Sequence, residues 1–182
     1  MEISAIYIIS QVVTVLFYIL LACTYFLKDK RRIIIFSTIS LILNMVAFIL
    51  LGAWSGVAMC AVALIRNIVI QKYPKVGDKP WFLLVIFVLI ALLTIPTYDG
   101  FWSLMSVFAT CLYSYSIWQK KPFVYKLCGI PIGVLWIIYN IYIFSVFGIA
   151  LESILTISAV IGIINSLRKK PNQTEKEKTL PK

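Results

Sequence analysis

The chain has 182 residues, 62% of them Ala, Val, Ile, Leu, Met, Phe, Trp, Tyr or Cys and only 13% Asp, Glu, Lys or Arg. A soluble domain is nearer half apolar and a quarter charged, so this composition excludes an ordinary globular protein and leaves a membrane protein. A net charge of +10 would suit a nucleic-acid binder, but Lys and Arg fall in short groups at 28–32, 72–79, 120–126 and 168–182, with Arg66 alone. Apolar runs separate these groups and no aromatic residues interleave with them, so no nucleic-acid partner is expected.

A helix that crosses a bilayer needs about 20 mostly apolar residues. The first such run, 3–27, follows Glu2, has no Lys or Arg before it and is too long for a cleaved signal peptide. Gln11, Thr14 and Tyr18 share one of its faces by helical spacing. The cluster Lys28-Asp29-Lys30-Arg31-Arg32 comes next. It belongs in the cytoplasm by the positive-inside rule, which puts the N-terminus outside.

The second run, 33–51, carries Ser37, Ser40 and Asn44 on one face, and Gly52 turns the chain into the third, 53–71, which Arg66 and Asn67 interrupt. The fourth, 81–96, is apolar from Phe82 to Leu93. Its composition suits a helix that faces lipid over much of its surface. The fifth, 101–118, has Ser103, Ser106, Thr110 and Tyr113 on one face. The sixth, 123–144, has Trp136 and Asn140 one turn apart, and the seventh, 148–167, has Glu152 near its start. The tail 169–182 mixes Lys, Glu, Pro, Asn, Gln and Thr and is expected to be disordered.

Seven spans make the charges alternate correctly. The expected outer connections, Gly52, 97–100 and 145–147, hold no Lys or Arg, only Asp99. The expected architecture is therefore an all-α polytopic membrane protein of seven transmembrane helices, N-out and C-in.

The loop pattern also contains a repeat. Spans one to three and spans five to seven share one layout: basic inner loop, tiny outer turn, basic end. Repeating a three-span unit in the same orientation requires one extra crossing, and the plain fourth span supplies it. The expected organisation is 3+1+3: a unit over 1–71, a linker helix region over 72–100, a second unit over 101–168 and the tail 169–182. A shift of 92 positions superposes Gly56 on Gly148 and Ala58 on Ala150, and little else. Parallel repeats with a midplane site are a transporter design.

The chain has no His, and Cys23, Cys60, Cys111 and Cys128 are too scattered for a zinc or redox motif. No cofactor, metal or catalytic reaction is expected. Two charged residues lie within spans. Arg66 either snorkels to the cytoplasmic headgroups or forms an internal pair. Glu152 is either a wet helix N-terminal acid or a cavity residue. Asn44 and Asn140 sit deeper, bonding a neighbouring helix or lining a cavity. Trp136 is the one Trp away from the expected interfaces. With Asn140 it offers a ring and an amide on one face, expected at the bundle centre across from the Asn44 face of span two.

Lys28-Asp29-Lys30-Arg31-Arg32, Leu64-Ile65-Arg66, Trp136-Ile137-Ile138-Tyr139-Asn140, Gly148 and Glu152 together resemble the YgjV family of bacterial inner-membrane proteins, over about residues 1–170. Where that family's pattern can carry a His before the Asn, this chain has Tyr139. The layout is similar to that of SWEET, SemiSWEET and PnuC-type transporters. The expected function is a small-solute transporter or facilitator for a vitamin-, nucleoside- or sugar-like molecule, with Trp136, Asn140, Asn44 and Tyr139 at the site. The alternative is a non-transporting sensor, assembly or immunity-type protein of the inner membrane. The expected partners are the bilayer, a small solute and a second copy of the chain.

Overall fold

The computed structural model describes residues 4–24, 30–119 and 122–178, and all regular structure among them is helical. Seven helices overlap the seven apolar runs of the sequence: α1 (Ala5–Thr24), α2 (Lys30–Leu50), α3 (Trp54–Lys72), α5 (Pro80–Thr97), α6 (Leu104–Trp118), α7 (Pro122–Tyr142) and α8 (Val146–Lys178). A short helix, α4 (Pro74–Gly77), and a 3₁₀ turn over Phe101–Ser103 complete the chain. Pro74, Pro80 and Pro122 each open a helix. There the missing N–H costs nothing and the fixed φ is already helical. By length and composition α1, α3 and α5 can each cross a bilayer, and Thr38–Leu50, Leu127–Tyr142 and Val146–Ile161 are shorter apolar stretches.

The helical run of α8 extends as far as Lys178. Residues 179–182 lie outside the described set.

The helices close into a ring. α1 packs on α2, α2 on α3, α3 on α6, α6 on α7, α7 on α8, and α8 on α1. α5 lies against α3 and α6. Exchanging α1, α2 and α3 with α6, α7 and α8 leaves the ring's list of neighbours unchanged. α5 turns Phe82, Ile86 and Ile90 into the bundle, each one turn from the next, and leaves Leu84, Val88, Leu92 and Ile95 exposed. Phe87, Leu89 and Leu93 are half-buried beside that stripe.

The polarity of the bundle is inverted relative to a soluble protein. Ile8, Ile9, Val12, Leu16 and Ile19 of α1 point outward, while Ser10, Gln11 and Thr14 are buried. Ser106, Thr110 and Ser114 of α6, and Ser103 of the 3₁₀ turn before it, are buried. Thr14 donates to the Ser10 carbonyl at 2.9 Å, and Ser106, Thr110 and Ser114 donate to carbonyls of the preceding turn at 2.7–2.8 Å. Each hydroxyl is thereby satisfied within its own helix, and small side chains let neighbouring helices approach. Apolar stripes outside and hydroxyl stripes inside fit a hydrocarbon solvent.

The α2–α3 and α7–α8 connections are the same turn. Gly52 N–H donates to the Ile49 carbonyl and Ala53 N–H to the Phe48 carbonyl; Phe144 N–H donates to Ile141 and Ser145 N–H to Asn140. Gly52 has φ 68° and Phe144 φ 56°. This is the Schellman ending, which requires a left-handed residue just past the helix. Both of these bonds recur 92 positions later in the second turn, whereas the Trp54 N–H bond to the Gly52 carbonyl has no counterpart there. Both turns lie at one end of the bundle, called here the turn end. The basic residues Lys72, Lys75 and Lys79 mark the opposite, basic end.

Candidate functional site

The polar groups of the bundle gather in three places. The first is the seam between α1 and α8. Tyr18 Oη donates to Glu152 Oε2 at 2.7 Å. Nearer the turn end the Phe147 N–H donates to Gln11 Oε1 at 3.1 Å, and Tyr7 Oη donates to the Phe144 carbonyl at 3.0 Å. Tyr7, Gln11 and Tyr18 recur at helical spacing, so one stripe of α1 holds α8 and the turn before it.

The second place is the seam between α3 and α6. Arg66 is 1% exposed. Its Nη1 donates to Ser114 Oγ at 2.8 Å, its Nε and Nη2 donate to Asn67 Oδ1, and its guanidinium carbon lies 4.7 Å from the centre of the Tyr113 ring. The head group turns inward, onto α6. Lys72 lies six residues on, about 9 Å along the helix.

The third place is the centre, where α7 meets α2 and α3. The Trp136 ring is stacked on Phe48, with centroids 6.0 Å apart and planes 11° apart. Tyr139 is fully buried and meets both rings edge-on. Its Oη accepts the Gly56 N–H at 2.8 Å and shares a hydrogen bond with Ser55 Oγ at 2.9 Å. Gly56 and Ser55 lie in the first turn of α3, whose N–H groups have no partner within the helix. The phenol therefore caps α3 from another helix. A Cβ on Gly56 would come within 2.8 Å of both the Phe48 ring and the Tyr139 oxygen.

Of the four residues expected to form a solute site, Trp136 and Tyr139 are brought together. Trp136 does oppose the face of α2 that carries Asn44, through Phe48 one turn further on. Asn44 itself points elsewhere, its Nδ2 lying 3.5 Å from Cys60 Sγ of α3. Asn140 is buried, donates to the Trp136 carbonyl at 2.9 Å and packs its amide oxygen against Gly148 of α8. Tyr18, Phe48, Ser55 and Ser114 were not singled out from sequence as partners. Tyr18 already stood in the α1 stripe; the others gave no signal.

The surface of the described residues has shallow depressions away from this centre. One, of about 380 Å³, is apolar and lined by Phe87, Phe108, Cys111, Leu112, Tyr115 and Leu135. Another, of about 390 Å³, lies at the turn end beside Trp54, Tyr98 and Asp99. Neither includes Trp136, Asn140 or Asn44. Among the described residues no three of Cys, Asp and Glu come close enough to hold a metal ion.

The chain belongs to the Imp-YgjV family, described as bacterial inner membrane protein, whose model matches residues 8–170. Its place is the bacterial inner membrane. Compared with curated proteins and with solved structures, the chain matches none.

Proposed function

We propose that this inner-membrane protein is a small-solute transporter or facilitator. In this reading α1–α3 and α6–α8 are two parallel units, α5 is the returning span, the turn end faces outward and the basic end lies in the cytoplasm. The observation that carries it is the content of the two seams. Each boundary between the units holds one ionisable side chain bonded across it: Glu152 to Tyr18 at α1/α8, and Arg66 to Ser114 at α3/α6. Ionisable groups are expensive inside a bilayer and mark functional positions there. Trp136, Tyr139, Asn140 and Asn44 supply rings and amides suited to a vitamin-, nucleoside- or sugar-like solute. The outward face of α5 meets lipid or a second copy of the chain. The reading involves no catalytic step.

A second reading is favoured by one observation. Phe48, Trp136 and Tyr139 fill the centre between α2 and α7. A packed centre suits a non-transporting sensor, assembly or immunity-type protein that acts through helix contacts.

The two are separated without knowing the solute. A single cysteine is placed at Thr110, deep on the hydroxyl face of α6, in a protein whose four native cysteines are replaced by Ala. A transporter admits water to that face, so an impermeant thiol reagent should label it from at least one side of the membrane. Complete protection from both sides would overturn the transporter reading in favour of the second.

A further inference from the structure

Glu152 is the only charged residue of α8 between Val146 and Ile164. It lies six residues into the helix, about 9 Å along it. Two helices pack against α8. α1 presents Tyr18, whose Oη donates to Glu152 Oε2 at 2.7 Å, and no charged residue occurs anywhere from Ala5 to Thr24. The other titratable groups of α1, Tyr7 and Cys23, lie about three turns and more than one turn from Tyr18. On α7, the approaches of Asn140 to Gly148 and of Gly133 to Thr156 bring Trp136 and Ile137 to the level of Glu152. Neither titrates. The nearest α7 tyrosines are committed elsewhere, Tyr139 to Ser55 and Gly56 and Tyr142 to Asp99. The intramembrane cation, Arg66, belongs to the other seam, against Ser114.

The carboxyl group therefore meets the Tyr18 phenol, with no charged residue at its level on α1 or α7, at a depth where hydrocarbon surrounds the bundle. One neutral O–H donor does not offset the cost of an ionised carboxylate there, which without a paired cation amounts to several kcal/mol. A carboxyl group has a second option: it keeps its proton. Tyr18 donates to Oε2, which leaves Oε1 to carry that proton.

We propose that Glu152, held by Tyr18, is a proton-binding site in the α1/α8 seam, taking up and releasing one proton. Release leaves a carboxylate that accepts the Tyr18 O–H, and the proton passes to water entering from the turn end; uptake is the reverse. The site does not depend on the chain moving a solute. As part of a transporter, it would be the position at which proton flow is coupled to the seam.

Infrared spectroscopy of the full chain in lipid nanodiscs tests this directly. The other acids, Glu2, Asp29, Asp78, Asp99, Glu175 and Glu177, lie outside the apolar runs. The expected result is a protonated-carboxyl C=O band at neutral pH. The band should disappear in Glu152→Gln, move in Tyr18→Phe, shift on transfer to heavy water and bleach as the buffer is made alkaline. The proposal is overturned if no such band exists, if Glu152→Gln leaves it in place, or if it does not respond to heavy water. Should Glu152→Gln fail to accumulate as folded protein, an unmoved band in Tyr18→Phe overturns it equally. A band that behaves as expected beside a fully protected cysteine at position 110 would retain the proton site and remove the transporter reading.

Discussion

The Tyr139 hydroxyl accepts the Gly56 N–H at 2.8 Å, so a side chain of α7 caps the start of α3 across 83 residues of sequence. The two residues need each other. The glycine leaves room for the phenol, and the phenol satisfies a helix terminus that would otherwise be orphaned within the bundle.

Tyr139→Phe should keep the ring packing and lose both hydroxyl bonds. A net loss of about 1–2 kcal/mol follows, or a fall in Tm of roughly 2–6 °C for a chain of this size. Gly56→Ala should cost more, because the added methyl meets the Phe48 ring as well as the hydroxyl. Combining the two should cost less than their sum, since Tyr139→Phe removes one of the methyl's two obstacles. Thermal unfolding of the purified variants measures all three, and strict additivity would show that the two sites are independent.

The left-handed residues of the two turns should respond with opposite signs. Phe144→Gly relieves an αL strain of about 1–2 kcal/mol at a side chain that is 77% exposed, and Tm should rise. Gly52→Ala introduces the same strain where a Cβ meets nothing within 4 Å, so its cost is backbone strain alone. A fall in Tm for Phe144→Gly would mean that the ring anchors the turn end in the membrane more strongly than its backbone resists.

Arg66 and Ser114 should behave as a unit. Ser114→Ala leaves a guanidinium N–H of a buried cation without that partner, at a cost of about 1–3 kcal/mol. In an Arg66→Met background the same change should cost well under half as much, because Ser114 also donates to the Thr110 carbonyl. A double-mutant cycle on unfolding measures the coupling, and a value near zero would contradict the pairing.

Sidedness is checked by chemistry. In a cysteine-free background, Asp99→Cys should react with an impermeant thiol reagent added outside, and Lys75→Cys only after the membrane is permeabilised. The reverse pattern would invert the assignment of the turn end to the outside.

The helices were legible because each is an apolar run of about 20 residues closed by basic clusters or tiny turns. Their inward faces were legible too: Gln11 and Thr14, and Ser103, Ser106 and Thr110, sit at helical spacing and are buried. The partners were not. Spacing along one helix gives a face; which neighbour that face meets depends on the ring closing, and Tyr18 meets Glu152 across 134 residues. Trp136 and Asn140 illustrate the limit. They are one turn apart, yet the long ring reaches Phe48 of α2 while the short amide stays by Gly148 of α8.

The twin turns separate the route of the backbone from the identity of the side chains. At the position that sets each turn, one half has Gly52 and the other Phe144; where the first carbonyl acceptor belongs to Phe48, the second belongs to Asn140. No comparison of letters would pair a glycine with a phenylalanine. Yet both residues stand at positive φ, and the two N–H groups that close each turn reach back over the same number of residues. A helix that reverses this tightly demands a left-handed residue and a returning N–H, whichever side chain stands there. The rule that shapes the corner is one of dihedral angle, and letters alone do not display it.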